Sequence, residues 1–242
     1  MGSLGAFTLL DIWDDGRGLD PVRRALLLLE AAWPDYDRSG WRRLTIGVRD
    51  QWLLRLRAGL FGPRFELLAD CPACGATLET TFTAADLPSA PAEPGPHELR
   101  WKGYRVYYRL PTSEDLLAVL DAEDSAVPAD QVFARCIDSI SRAGRKAAIS
   151  EADASLRARI EAAMAERDVV AEVDVGLDCR ACDHRFERRF DILDHLWGEI
   201  GDWAERILSE VHVLAQAYGW NEEEVLRLSP TRRQHYLELA SA

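Results

Sequence analysis

Four cysteines carry the clearest chemical signal in the chain: Cys71 and Cys74 in CPACG, and Cys179 and Cys182 in CRAC. Each pair has the C-x2-C spacing at which one tight turn aims two thiolates at a single ion, and zinc takes four such ligands in a tetrahedron. Two pairs therefore make one complete site. A four-thiolate site is closed, with no position left for an activated water, so the chemistry it implies is structural rather than hydrolytic. The alternatives are a redox pair and inert thiols. A redox pair of thioredoxin type needs C-x-x-C at a helix N-terminus within strand–helix alternation, whereas both pairs here lie between strand-like segments. His184, two residues beyond Cys182, could replace it as a ligand; with four cysteines available it reads as a neighbouring polar residue. Cys136 falls with Val132, Phe133, Ile137 and Ile140 on what reads as one helix face, as a small buried apolar residue.

The cysteine turns need strands to hold them, and the flanking patterns supply these. FELLAD leads into the first pair and TLETTFT leads out; AEVDVGLDC and HRFERRFDI flank the second. Strand, knuckle, strand occurs twice, as in a zinc ribbon whose halves are separated by the 104 residues between Cys74 and Cys179. Metal closure of so long a loop would stabilise the join. The intervening stretch opens with the proline-rich linker LPSAPAEPGP, followed by HELRWKGYRVYYRLP, a hairpin turning at Lys102–Gly103. Thr112 with Asp115 three residues on caps a helix, and two more helices are expected over roughly 130–142 and 150–165, the latter capped by Ser150.

Helices enclose this middle section. Asp20–Pro21 starts one whose apolar residues recur until Pro34, and Val48, Trp52, Leu53 and Leu56 mark another ending near Gly59 and Gly62; both read as amphipathic and mutually packed. Toward the C-terminus Ile192, Leu196, Ile200, Trp203, Ile207, Val211, Leu214 and Tyr218 form one stripe along a long helix stopped by Gly219. Leu193, Trp197, Ala204, Leu208 and Ala215 widen that stripe, so one intramolecular partner need not cover it. Asn221–Glu224 and Ser229–Pro230 start two short helices. The fold expected is α+β: a helical region over 1–64, ribbon halves over 65–87 and 169–190, an inserted hairpin-and-helix lobe over 88–168, and a helical region over 191–242. N- and C-terminal helices should pack together, with ribbon and insertion forming a second lobe.

Composition narrows the function. A net charge of −12 and a pI near 4.9 argue against a nucleic-acid backbone as main partner, which rewards clustered positive charge. RFERRF could be a basic, aromatic nucleic-acid strand, but it reads better as a ribbon strand with its arginines in solvent. The N-terminus lacks the basic and apolar regions of a secretory signal, and no apolar run reaches the roughly 20 residues needed to span a bilayer. Cytoplasmic synthesis, with thiols reduced, is the expectation. Phosphate loops, nucleophile elbows, H-E-x-x-H and dinucleotide fingerprints are missing. His195 and Glu199 lie one helical turn apart and could form an acid–base pair, although such pairs usually just satisfy each other. A non-enzyme is expected, with no small-molecule substrate. Trp41, Trp101, Tyr107 and Tyr108 are candidate partner-facing aromatics, and Trp220, Arg232, Arg233 and Tyr236 mark a candidate docking surface on the C-terminal unit.

The segments VRDQWLLRLRAGLFGPRFELLADCPACGATLETTFTAADL, YRVYYRLPTSEDLLAVL, FDILDHLWGEIGDWAERILSEVHVLAQAYGW and EEEVLRLSPTRRQHYLEL resemble the baseplate proteins of contractile-tailed phages. They resemble more closely the forms carried in phage-tail-like contractile injection systems. The resemblance runs from about Leu26 to the end and is most specific in GPRFELLADCPACG and AYGWNEEEVLRLSPTRRQHYLEL. It implies a structural or assembly role at the baseplate hub, beside hub, spike or tape-measure proteins. Relatives with this tail pattern include tail assembly chaperones, so a transient helper is a second implication. The resemblance supplies no catalytic residues.

Overall fold

The computed structural model describes residues 4–89, 95–122, 128–148 and 153–241. Four helices come first: α1 (Ala6–Gly16), α2 (Pro21–Ala32), α3 (Arg38–Arg43) and α4 (Ile46–Phe61). Asp20 caps α2 by accepting from the Arg23 amide, and proline at the first helical position costs no hydrogen bond there. α4 does pack on α2, but it is not amphipathic. Arg49, Asp50 and Arg57 are buried on it beside Leu53, Leu54 and Leu56. Neighbouring elements enclose it on several sides, and each buried charge has a partner: Arg49 bonds Asp50 at 2.7 Å and Arg57 bonds Glu199.

Strands β1 (Arg64–Asp70) and β2 (Thr77–Thr83) form one antiparallel hairpin; β7 (Val173–Asp178) and β8 (Arg185–Phe190) form another. Between them lies a four-stranded antiparallel sheet in the order β3 (His97–Trp101), β4 (Tyr104–Tyr108), β5 (Ile137–Arg142), β6 (Arg145–Ala147). The β3–β4 turn is at Lys102–Gly103, both with positive φ (45° and 80°), the backbone that a tight hairpin of matching twist requires. α5 (Ser113–Leu120) follows with the Thr112–Asp115 capping box, then α6 (Pro128–Cys136) and α7 (Ala154–Ala165).

The helix expected over 130–142 is half wrong. It ends at Cys136, and Ile137–Arg142 crosses into the sheet, because β4 offers an open strand edge and Ala143–Gly144 provides a positive-φ turn. Ile137 and Ile140 therefore meet Phe133 through the sheet and not along one helix face. α7 is capped by Asp153, which accepts from the Leu156 amide; the expected cap, Ser150, lies outside the described residues, as does most of the proline-rich linker.

The chain closes with α8 (Ile192–Tyr218), α9 (Glu222–Leu226) and α10 (Pro230–Ala240), and Gly219 terminates α8 in the left-handed conformation. Two principal cores result. One joins α1, α2, α4 and the start of α8 to the roots of both hairpins, through Phe65, Val173 and Phe190. The other packs the inner face of the four-stranded sheet on α6 and α7, through Val106, Tyr108, Phe133, Ile140, Leu156 and Ile160. The grouping of ribbon with insertion is thus corrected: the hairpins are rooted in the helical body, and the insertion has its own core. α5 sides with the body, placing Leu117 in the first core.

Candidate metal centre

Each cysteine turn is built by the same two hydrogen bonds. The Cys71 amide donates to the Ala76 carbonyl at 2.9 Å and the Gly75 amide to the Cys71 carbonyl at 2.8 Å. In the second turn Cys179 donates to His184 at 2.9 Å and Asp183 to Cys179 at 2.8 Å. The residue after the second cysteine has positive φ in both, 73° at Gly75 and 56° at Asp183. Glycine takes that backbone without steric cost, and aspartate is among the side chains that tolerate it.

The two turns face each other. Cys71 Sγ lies 3.7 Å from Cys182 Sγ and Cys74 Sγ lies 3.7 Å from Cys179 Sγ, and all four sulfurs fall within 4.8 Å of one another. A tetrahedron with zinc–sulfur bonds of about 2.3 Å has sulfur–sulfur edges of about 3.8 Å, so the donor set fits a tetrahedral thiophilic ion. Cys71 and Cys179 are buried while Cys74 and Cys182 are exposed at the tip. Burial pushes the Cys71 thiol up, but the Ala73 and Cys74 amides aimed at its sulfur outweigh this and bring it to about 7. At Cys182 the His184 amide lowers the thiol, and the neighbouring sulfurs and burial outweigh it, pushing it up to about 12. Four sulfurs this close cannot all ionise without a cation among them. The His184 ring lies outside the cluster and stacks on Phe186 at 6.0 Å.

At the other end of the hairpins, sequence reasoning missed an aromatic clasp. Phe65 of β1 stacks on Phe82 of β2 at 5.3 Å, and both meet Phe190 of β8 edge-on, at 5.8 and 5.0 Å. The two hairpins form no shared sheet; sulfurs join their tips and phenylalanines their roots. Arg57 locks the clasp to the helices. Its guanidinium lies 4.2 Å above Phe65, donates to the Gly62 carbonyl at 2.9 Å and to the Arg64 carbonyl, and grips Glu199 of α8 in a two-point pair. Burial raises the Glu199 carboxyl, but Arg57, and then His195, outweigh it and hold the group at about 2. His195 lies 3.5 Å from Glu199 and against Phe65 and Phe190, so the candidate acid–base pair is part of this structural junction. Alternating apolar residues in the strands were the available signal for the clasp; nothing local pointed from Arg57 to a carboxylate 142 positions away.

Other expected sites separate. Trp41 is fully buried among Trp33, Tyr36 and Trp52, and Tyr108 is 1% exposed in the sheet core, so neither faces a partner. Their large rings fill the cores. Tyr107, on the opposite sheet face, is exposed, and Trp101 is half-buried. Arg233 is also turned inward: it bonds Glu210 of α8 at 2.5 Å and fastens α10, leaving Arg232 exposed. Trp220 and Tyr236 pack edge-on at 4.9 Å beside Tyr218 and are half-buried. Much of the α8 stripe is covered by the chain's own α1, α9 and α10, with Leu214 wholly buried, while Val213 and Tyr218 stay exposed. The RFERRF arginines are partly neutralised across the hairpin, Arg185 by Asp178 and Arg189 by Asp174 and Glu172. Cys136 is buried and its thiol is pushed up to about 11, first by burial and then by Asp115.

The fold and site define an α+β protein whose two hairpins are joined by a four-cysteine cluster able to hold a metal ion. The chain belongs to the family described as T4 bacteriophage base plate protein, which matches residues 28–196, from within α2 through both cysteine pairs to the first turns of α8. No curated protein and no solved structure gives a match. Among the described residues, no helix is long and apolar enough to cross a membrane.

Proposed function

We propose that this chain is a non-enzymatic structural or assembly protein of the baseplate hub in a phage-tail-like contractile injection system, with one structural zinc held by Cys71, Cys74, Cys179 and Cys182. The observation that carries the reading is the family match spanning both cysteine pairs and the insertion between them. Four converging sulfurs favour zinc, since thiolates in a tetrahedral set select it or an iron–sulfur cluster. A closed donor set, and a His195–Glu199 pair committed to Arg57, favour a non-catalytic role. The family supports assembly in the cytoplasm among other baseplate proteins; hub, spike or tape-measure proteins are the neighbours we propose, and the charge of −12 disfavours nucleic acid as partner. Trp220, Arg232 and Tyr236 remain the proposed C-terminal contact; Arg233 supports it from beneath.

Deleting the gene and imaging the particles tests the role. Malformed or absent baseplates are expected, and normal contractile particles would remove the reading. Mass spectrometry of wild-type particles then separates a resident subunit, present in them, from a transient chaperone, absent from them. For the contact surface, Trp220→Ala with Tyr236→Ala is better than removing the segment after Gly219, because α9 and α10 both pack on α8 and Leu226 of α9 shares a core with Ile207. The double variant should fold and lose co-purification with hub or tape-measure proteins; unchanged co-purification would move the interface elsewhere.

A further inference from the structure

Strand register sorts the four-stranded sheet into two unlike faces. Leu99, Val106, Ile140 and Ala147 are aligned across it and face the core over α7, whereas the next aligned row is Arg100, Arg105, Ser141 and Lys146. Arg100 and Arg105 thus stand directly opposite each other on the other face and Lys146 shares their row beyond Ser141, with exposed Tyr107 in the neighbouring row beside Glu98 and Ser139. Among the described residues no element packs on this face; Arg100, Arg105, Tyr107 and Ser141 line a shallow depression in it. Like charges directly opposite in a sheet are destabilising. One carboxylate, Glu98, serves both Arg100 (2.6 Å) and Arg105 (3.3 Å), and among the described residues Lys146 has no ion-pair partner. Residues 97–108 and 137–147 hold six Lys and Arg against two acids, a local net of +4 inside a chain of −12.

We infer that this open sheet face is a docking surface for an acidic segment of a neighbouring protein, with carboxylates along the Arg100–Arg105–Lys146 row and an apolar side chain on Tyr107. Strands lie about 4.8 Å apart, so the row extends roughly 14 Å, a span several carboxylates of one short segment can follow. The partner supplies the negative charge that the row lacks, which explains why the chain keeps cations in register. Nucleic acid fits less well. Single strands are held by several stacking rings along a positive groove and duplexes by a broadly basic surface, whereas this face exposes one aromatic, has Glu98 against it, and belongs to an acidic molecule. The inference stands apart from the metal centre and the C-terminal contact.

The test uses the full-length protein and labelled poly-L-glutamate at low ionic strength, read by fluorescence anisotropy. Wild type should bind, and Arg105→Glu with Lys146→Glu should weaken binding roughly tenfold or more, with the corresponding glutamine pair intermediate. Arg185→Glu with Arg188→Glu on β8 makes the same charge change elsewhere and should alter binding less than about twofold. Circular dichroism confirms that each variant is folded; these side chains are exposed. Absence of wild-type binding, or equal weakening by both pairs, overturns the inference. Tighter binding of a dT oligomer than of poly-L-glutamate would make the face a nucleic-acid surface and overturn it as well. So would salt-sensitive self-association lost in Arg105→Glu/Lys146→Glu, which would make the occupant a second copy.

Discussion

Replacing Arg57 by methionine removes one buried guanidinium and keeps most of its aliphatic volume. The side chain is 4% exposed, grips Glu199 at two points and satisfies the Gly62 and Arg64 carbonyls at the α4–β1 turn. Breaking a buried ion pair by removing one partner costs about 3–5 kcal/mol. Two orphaned carbonyls and the lost cation–π contact with Phe65 add roughly 1–2 kcal/mol after relaxation. A total of about 5 kcal/mol is comparable to the whole stability of many domains. Urea unfolding followed by tryptophan fluorescence at pH 7 reads it directly. Glu199→Gln gives the complementary measurement. The Glu199 carboxyl, ordinarily near 4.5, is held at about 2 in the fold, so its stabilisation is fully present above pH 4.5 and is lost as pH falls from there through 2. The stability difference between wild type and Glu199→Gln should therefore shrink by on the order of 3 kcal/mol between pH 5.5 and pH 2, whatever other groups titrate in both proteins. A cost below about 1 kcal/mol for Arg57→Met, or a wild-type to Glu199→Gln difference flat with pH, would refute this account of the junction.

Three further outcomes are expected. Gly47→Ala should destabilise by about 3 kcal/mol, since its Cβ would meet Asp168 Oδ1 at 1.9 Å and the Ala171 amide nitrogen at 2.9 Å; Gly198→Ala, with no atom within 4 Å, should stabilise by up to about 1 kcal/mol, both by thermal unfolding. Asp168 accepts from the Gly47 amide at 3.0 Å, capping α4 from 121 positions away, while burial raises its carboxyl. Asp168→Asn should cost less than about 1 kcal/mol at pH 7 and Asp168→Ala about 2 kcal/mol, because the amide oxygen still caps without a buried charge; because the folded carboxyl is raised, the wild-type advantage over Asp168→Asn should be greatest at low pH and fall as pH rises. Elemental analysis of the wild-type protein should give about one zinc per chain, and Cys74→Ser should abolish it yet leave helical circular dichroism nearly unchanged, because the phenylalanine clasp and helical core lie at the far end of the hairpins.

Wherever neighbours in the chain carry the information, the sequence sufficed. The cysteine turns, the Lys102–Gly103 hairpin, the Thr112–Asp115 and Asn221–Glu224 capping boxes and the span of α8 each depend on residues within a few positions of one another, where backbone sterics and side-chain reach leave few choices. The sequence also determined that the cysteines form two pairs of one kind. Tertiary structure decided the rest. Ile137–Arg142 became a strand because β4 presented an unpaired edge, which no local helical pattern can register. Trp41, Tyr108 and Arg233 turned inward because α2, α7 and α8 arrive to cover them, and aromatic or basic side chains are equally at home on a surface until something does. Arg57, Glu199, Gly47 and Asp168 are ordinary residues along the chain; they become junctions only when folding brings together groups more than a hundred positions apart and removes the water that would otherwise have solvated them.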